Sequence, residues 1–193
     1  MRRGHNPTIV TSAIRELFEY GWQKYRVIYF GAPCGFGKTA VARAMLTGHS
    51  VCERSAMRAE GLTAPIPAGC DVVMIDDVHM MWNSEDQLAV CSWINEKPSR
   101  TVVLLGRGDL PGWLMPYQFT GLLLKIESEQ LLFDRAATAE LLEQNGIKTS
   151  PEELNAIQED SRGYPLAVSI LSRKMTGGKP YSSSISERTR QEI

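Results

Sequence analysis

The chain contains the glycine-rich stretch Gly31-Ala32-Pro33-Cys34-Gly35-Phe36-Gly37-Lys38-Thr39. Residues 26–30, just before it, are β-branched and aromatic and predict a strand, whereas residues 39–46 have the pattern of a helix. A glycine-rich turn between a strand and a helix points backbone N–H groups and the positive end of the helix at one spot, which suits phosphate. The stretch therefore predicts a nucleoside triphosphate site in an α/β protein.

The second half of this stretch follows the phosphate-loop pattern G-x-x-x-x-G-K-[ST]. Lys38 is predicted to reach the β- and γ-phosphates, and the Thr39 hydroxyl to ligate Mg²⁺. Ala32 stands where the pattern has its first glycine, so we expect Gly31, one residue earlier, to serve the turn off the strand. The alternative, a glycine-rich turn with a chance Lys-Thr, is disfavoured because the required strand and helix flank the stretch.

Two carboxylates end a second strand. Residues 71–75 are apolar on both faces, as buried parallel strands are, and Asp76 and Asp77 follow them. Ligands of parallel α/β sheets bind at the carboxyl ends of the strands, so both acids should face the phosphate loop. We predict that Asp76 holds Mg²⁺ through water and that Asp77 orients or deprotonates the attacking water. Packing or a supporting hydrogen bond is the expected role of His79.

Arg107 follows the apolar residues 101–105, which predict another strand. At that strand end its guanidinium would lie near a γ-phosphate and stabilise it by charge-assisted hydrogen bonds. An arginine after a strand is also commonly a solvated residue, and the sequence around it leaves both readings open.

Strand-like and helical patterns alternate through residue 127, which predicts an α/β core over residues 1–127 with a five-stranded parallel sheet covered on both faces. The predicted strands are residues 26–30, 49–52, 71–75, 101–105 and 121–126. Between them, the helical pattern of residues 84–95 is expected to bury Leu88, Cys91 and Ile94.

The pattern changes after residue 127. Residues 128–176 predict a small helical subdomain, with helix N-caps at Asp134 and Ser150 and a chain break at Gly163-Tyr164-Pro165. Residues 177–193 predict a linker or tail because glycine, proline and serine cluster there.

Composition limits the classes of function. The 193 residues carry a net charge of −1 and are 43% hydrophobic, which argues against a disordered chain and against a protein that mainly coats nucleic acid. The four cysteines form no C-x-x-C pair, so a zinc or redox site is not expected. No apolar run suggests a membrane span or a signal peptide, and we expect a cytoplasmic protein without a membrane partner.

Five motifs together resemble the signal-transduction ATPases with numerous domains (the STAND class), and in particular the NTPase module of MalT-type LuxR-family transcriptional activators. The motifs are Ala32-Pro33-Cys34-Gly35-Phe36-Gly37-Lys38-Thr39-Ala40, Asp76-Asp77-Val78-His79, Gly106-Arg107-Gly108-Asp109-Leu110-Pro111, Leu131-Leu132-Phe133-Asp134 and Gly163-Tyr164-Pro165-Leu166-Ala167. Two features depart from these relatives: the segment between Thr39 and Asp76 is short, and the segment before Ile9 lacks the expected arginine.

The resemblance implies a P-loop NTPase three-layer sandwich, with the strand before Arg107 inserted between the strands before Gly31 and Asp76. It implies ATP or ADP with Mg²⁺ as cofactors, Asp77 and Arg107 as catalytic residues, and Thr39 and Asp76 as metal ligands. The nucleotide would contact Ile9, Pro33, Cys34, Gly35, Phe36, Gly37, Lys38, Thr39, Ala40 and Pro165.

The same resemblance implies a regulatory switch, closed with ADP and open with ATP, which slow hydrolysis resets. DNA would be contacted only through a domain outside this chain, with self-association on activation. Three alternatives stay open: a nucleotide-locked sensor of the NLR type, a P-loop kinase of small molecules, and a motor-like AAA+ ATPase. A helix-turn-helix farther along the complete gene would separate the regulator from the sensor, and kinases usually carry several arginines in a lid.

Overall fold

The computed structural model describes residues 8–58, 62–96, 100–175 and 181. Its sheet has five strands: β1 (Val27–Gly31), β2 (Val51–Ser55), β3 (Val72–Asp76), β4 (Thr101–Gly106) and β5 (Leu123–Glu127). The helices are α1 (Ser12–Lys24), α2 (Lys38–Met45), α3 (Ser84–Glu96), α4 (Met115–Phe119), α5 (Arg135–Gln144), α6 (Pro151–Ser161) and α7 (Pro165–Met175). All five predicted strands are present, with ends within three residues of those expected.

The strands are parallel and lie in the order β2-β3-β4-β1-β5. The inserted position of β4 between β1 and β3, which the family resemblance implies, is therefore confirmed. This order sets the carboxyl ends of β1, β3 and β4 side by side, and those ends carry the phosphate loop, the two carboxylates and Arg107.

Helices cover both faces of the sheet, which confirms the three-layer α/β fold. One face packs Ile14 and Phe18 of α1 and Val41 of α2 against the strands. The other face packs α3 against them. Each fully buried side chain of this size contributes about 1.5–3 kcal/mol, so the two clusters together hold the strand ends in place.

The predicted buried face of α3 is confirmed for Ile94 and wrong for Leu88 and Cys91. Leu88 is 68% exposed, and Cys91 is only half-buried, whereas Val90, Trp93 and Ile94 form the face that packs on the sheet. The helix carries apolar residues on two sides, so three residues at helical spacing did not identify which side faces inward.

Among the described residues, α5, α6 and α7 follow β5 and share a small core of their own, built around Leu142, Ile157 and Leu171. The predicted caps are present: the Asp134 carboxylate accepts from the Ala137 N–H at 2.8 Å, and Ser150 and Glu153 form a reciprocal capping box. Residues 1–7 and the proposed tail, apart from Tyr181, lie outside the described residues. Within the described part of the chain, no helix is long and apolar enough to cross a membrane.

Candidate functional site

The phosphate loop joins β1 to α2 and uses two glycines in left-handed conformation, Gly35 (φ +83°) and Gly37 (φ +77°). Gly37 directly precedes α2 and gives the helix no side-chain cap. The first turn of an α-helix leaves its N–H groups without acceptors inside the helix. The loop therefore presents backbone donors and the positive end of α2 at one point, as the sequence predicts.

Lys38 lies over this loop. Its ammonium donates to the carbonyl oxygens of Ala32 at 2.6 Å and Pro33 at 2.8 Å, and a lysine has three donors in all. Burial lowers the pKa of Lys38, Arg107 adds to the lowering, and the Asp76 carboxylate and the Cys34 thiol oppose it. Because the folded protein disfavours the positive charge there, an anion beside it would be stabilising.

Thr39 and Asp76 form the adjacent pair. The Thr39 hydroxyl donates to Asp76 Oδ2 at 2.8 Å, and Asp76 Oδ1 accepts from the backbone N–H of Asp77 at 2.8 Å. Mg²⁺ in nucleotide sites takes one or two protein oxygens and completes its shell with water and phosphate. The Thr39 hydroxyl and the Asp76 carboxylate lie side by side, next to Lys38 in the sequence or the fold, and they fit that requirement. The described residues contain no cluster of three or more His, Cys, Asp or Glu that could hold a metal ion.

Asp77 has a left-handed backbone with φ +59°, which is uncommon for a residue with a side chain. The Ser55 hydroxyl at the end of β2 donates to Asp77 Oδ2 at 3.3 Å. The two carboxylates have different side-chain partners, Thr39 for Asp76 and Ser55 for Asp77. Strained residues of this kind occur often at functional sites, and the two acids are therefore candidates for different tasks.

A cavity of about 640 Å³ lies over these groups, within the range of small-molecule sites. At one end it is lined by residues 34–41 together with Asp76, Asp77, His79 and Arg107. His79 Nδ1 is buried and has no hydrogen-bond partner among the described residues, so the supporting hydrogen bond expected of this histidine is not made by that atom.

The rest of the lining is mixed, with apolar side chains beside the polar Gln144, Asn145, Ser169 and Arg173. The apolar side chains come from the N-terminal segment, from the chain before α5, from α5 itself and from α7, and include Ile9, Phe133, Leu141 and Pro165. Apart from Pro33, every predicted nucleotide, metal and catalytic residue lines this one cavity; Pro33 contributes only its carbonyl to Lys38. What these residues bind stays a prediction.

Tyr164 connects the three C-terminal helices to the phosphate loop. Its hydroxyl donates to the Cys34 carbonyl at 2.7 Å, and its ring lies 4.9 Å from the ring of Phe36, centre to centre. Burial raises the pKa of Tyr164, so the hydroxyl remains a donor. A side chain at Gly35 would overlap the Tyr164 hydroxyl, which explains the need for glycine there.

Several lining residues were not identified from the sequence. Ser169 and Arg173 face the cavity at positions i+4 and i+8 from Pro165, a spacing that puts all three on one side of α7 and could have identified them. The contacts of Tyr164 with Cys34 and of Ser55 with Asp77 join residues far apart in the sequence, so no local pattern predicts them.

Gly31 does not take the role that the sequence suggested. It is the last residue of β1 and its φ is not positive, so it provides no special turn. A side chain at Gly31 would instead meet the Tyr29 ring and the Gly108 carbonyl. The glycine is required for space between β1 and the loop after β4.

Solved structures share this fold. The TM-score is 0.63 with a variant of RuvB from Thermotoga maritima, at 14% identity over 96% of this chain and 70% of that one. The TM-score is 0.68 with a Walker-type ATPase of Pyrococcus abyssi, at 10% identity over 96% of this chain and 72% of that one. The TM-score is 0.53 with a DNA replication initiation factor, at 15% identity over 99% of this chain and 64% of that one. These likenesses show that the chain has the fold of the P-loop NTPases.

No protein-family model matches the sequence, and no curated protein matches it. The neighbouring structures do not distinguish the STAND class from other P-loop ATPases, so the finer family assignment expected from the motifs stays a proposal.

Proposed function

We propose that this chain is an ATP- and ADP-binding switch module of the signal-transduction ATPase type, which depends on Mg²⁺ and hydrolyses ATP slowly. One observation carries the proposal: a single cavity is bounded by the phosphate loop on one side and by the start of α7 on the other, with Tyr164 hydrogen-bonded to Cys34 between them. A nucleotide in that cavity would contact both the phosphate loop and the start of α7. The number of its phosphates can therefore change how these two parts contact each other.

The phosphate end supplies the binding groups. The loop N–H groups and Lys38 take the phosphates, and the apolar side chains of Ile9 and Pro165 take the base and ribose. Thr39 and Asp76 hold Mg²⁺, which when bound neutralises phosphate charge.

Hydrolysis requires a water in line with the γ-phosphorus. In the proposed step Asp77 accepts a proton from that water, and the water oxygen bonds to the γ-phosphorus. The bond from the γ-phosphorus to the β–γ bridging oxygen breaks, which leaves ADP and phosphate. Arg107, at the end of β4 on the same cavity, stabilises the charge on the transferred group. Arg107 also distinguishes ATP from ADP, because only ATP offers it a γ-phosphate.

We place the module in a LuxR-family, MalT-like regulator, with DNA contacted by a domain outside this chain and self-association on activation. This finer assignment rests on the five motifs. A nucleotide-locked sensor of the NLR type would share the binding site but would need no hydrolysis.

A small-molecule kinase is disfavoured by the arginines of the helical segment. Arg173 lines the cavity, but Arg135 donates to Asn155 Oδ1 at 2.9 Å between α5 and α6, and Arg162 ends α6. One arginine from these helices does not make the clamp that holds two substrates.

A motor-like ATPase would hydrolyse ATP fast, whereas the proposed switch hydrolyses it slowly.

Exchanging each acid for its amide tests this division of tasks. Asp76→Asn should weaken ATP binding in Mg²⁺ by about tenfold, because a charged metal ligand is lost, and the difference from the wild type should vanish when Mg²⁺ is chelated. Asp77→Asn should bind ATP normally and lower the hydrolysis rate by about 100-fold. Calorimetry and phosphate release measure the two effects.

Asp71→Asn is the matched control, since Asp71 is exposed and precedes β3 at the opposite end of the strand. Asp71→Asn should leave the ATP affinity and the hydrolysis rate unchanged. The assignment is reversed if Asp77→Asn binds ATP poorly yet hydrolyses it at the wild-type rate.

A further inference from the structure

Tyr29 fills a gap between two strand ends. It lies in the middle of β1, fully buried, on the face of the sheet that packs against α3. β1 pairs with β4 in a register that sets Gly31 opposite Gly106. A side chain at either glycine would meet the Tyr29 ring or hydroxyl. The two glycines therefore leave the space through which the phenol reaches the end of the sheet.

The Tyr29 hydroxyl ends at the loop that follows β4. It donates to the Asp109 carbonyl at 2.9 Å and lies 3.3 Å from the Gly108 carbonyl. Burial, together with the nearby Asp109 charge, raises the pKa of Tyr29 to about 12, so the phenol keeps its proton and remains a donor. A buried side chain of the sheet thus binds the backbone of an exposed loop.

That loop carries Arg107 into the cavity. Arg107 is exposed, and the next residue, Gly108, has a left-handed φ of +99°. The loop has a second attachment, from Lys125 to the Asp109 carboxylate at 3.4 Å, but this carboxylate is fully solvated. Exposed ion pairs of this kind hold a geometry weakly, so the buried phenol is the stronger anchor.

We propose that Tyr29 is a positioning residue for Arg107: its hydroxyl fixes the loop backbone so that the guanidinium meets the γ-phosphate. This inference rests on the proposed role of Arg107 in distinguishing ATP from ADP. Tyr29 itself is not among the residues that line the cavity, so it acts through the loop and not on the nucleotide.

Tyr29→Phe removes the hydroxyl and keeps the ring that fills the core. The quantity to measure is the ratio of ATP affinity to ADP affinity, by calorimetry in Mg²⁺, for the wild type, Tyr29→Phe, Arg107→Ala and the double variant. We expect Arg107→Ala to lower the ratio about tenfold or more and Tyr29→Phe to lower it about three- to tenfold. In the Arg107→Ala background, Tyr29→Phe should change the ratio no further.

Tyr117→Phe is the matched control. The Tyr117 hydroxyl is hydrogen-bonded to Asn95 at 3.2 Å, and Tyr117 does not line the cavity. Tyr117→Phe also loses one hydrogen-bonded hydroxyl, at a more exposed place, so its melting temperature should fall no further than that of Tyr29→Phe while its affinity ratio stays at the wild-type value.

The inference is overturned if Arg107→Ala lowers the ratio and Tyr29→Phe does not. It is also overturned if Tyr29→Phe weakens ATP and ADP equally, which is what a merely structural role would do. An unchanged ratio in Arg107→Ala would instead refute the proposed role of Arg107, and the inference would fall with it.

Discussion

Lys38→Ala is expected to lower the affinity for both ATP and ADP by at least about 100-fold, because the β-phosphate, and in ATP the γ-phosphate, lose a charged hydrogen-bond donor in a partly buried site. The variant should fold normally. Burial lowers the pKa of Lys38, which means that the folded protein gains no stability from the lysine charge. Loss of binding without loss of stability is therefore the expected pattern, measured by calorimetry and thermal melting.

Lys148→Ala provides the control for net charge, since Lys148 is exposed and lies outside the cavity lining. It should bind both nucleotides as the wild type does. Equal ATP affinity for Lys38→Ala and the wild type would contradict the proposal that the phosphate loop binds the nucleotide.

Gly163→Ala is expected to cost about 2–5 kcal/mol in the free energy of unfolding. Gly163 has φ +72°, which costs a residue with a side chain about 1–2 kcal/mol, and its new Cβ would overlap the backbone carbonyl of Phe133. That carbonyl accepts from Gln158 Nε2 at 2.8 Å, and the Phe133 N–H donates to the Gly163 carbonyl at 2.8 Å. Because Phe133 lines the cavity, nucleotide affinity should fall as well.

Gly146→Ala separates the cost of the left-handed backbone from the cost of the overlap with Phe133. Gly146 has the same φ of +72°, but a Cβ there would have open space around it. Its cost in urea unfolding should be only the conformational part, about 1–2 kcal/mol. If both variants lose the same stability, the close contact between Gly163 and Phe133 has no energetic weight.

The sequence predicted the parts of the site that local patterns encode. The buried strands have continuous apolar runs, and the phosphate loop and Asp76-Asp77 follow directly from two of them, so their positions at one edge of the sheet could be inferred. The caps Asp134 and Ser150 were equally local and are confirmed.

What the sequence did not predict depends on contacts between distant residues. Tyr164 reaches Cys34 across 130 residues, and Tyr29 reaches Asp109 across 80. The α3 face was missed for a different reason: Leu88 and Val90 are both apolar but lie on opposite sides of the helix, and only packing against the sheet decides between them.

In the proposed switch, the number of phosphates on the bound nucleotide controls the contact between the C-terminal helices and the phosphate loop. Amide hydrogen exchange at saturating MgADP, compared with a non-hydrolysable ATP analogue in Mg²⁺, tests this dependence most directly. The contact between Tyr164 and Cys34 should make exchange of residues 34–37 and of the first turn of α7 slower with ADP, and faster with the ATP analogue. Identical exchange in these segments with the two nucleotides, each bound to saturation, would contradict the account.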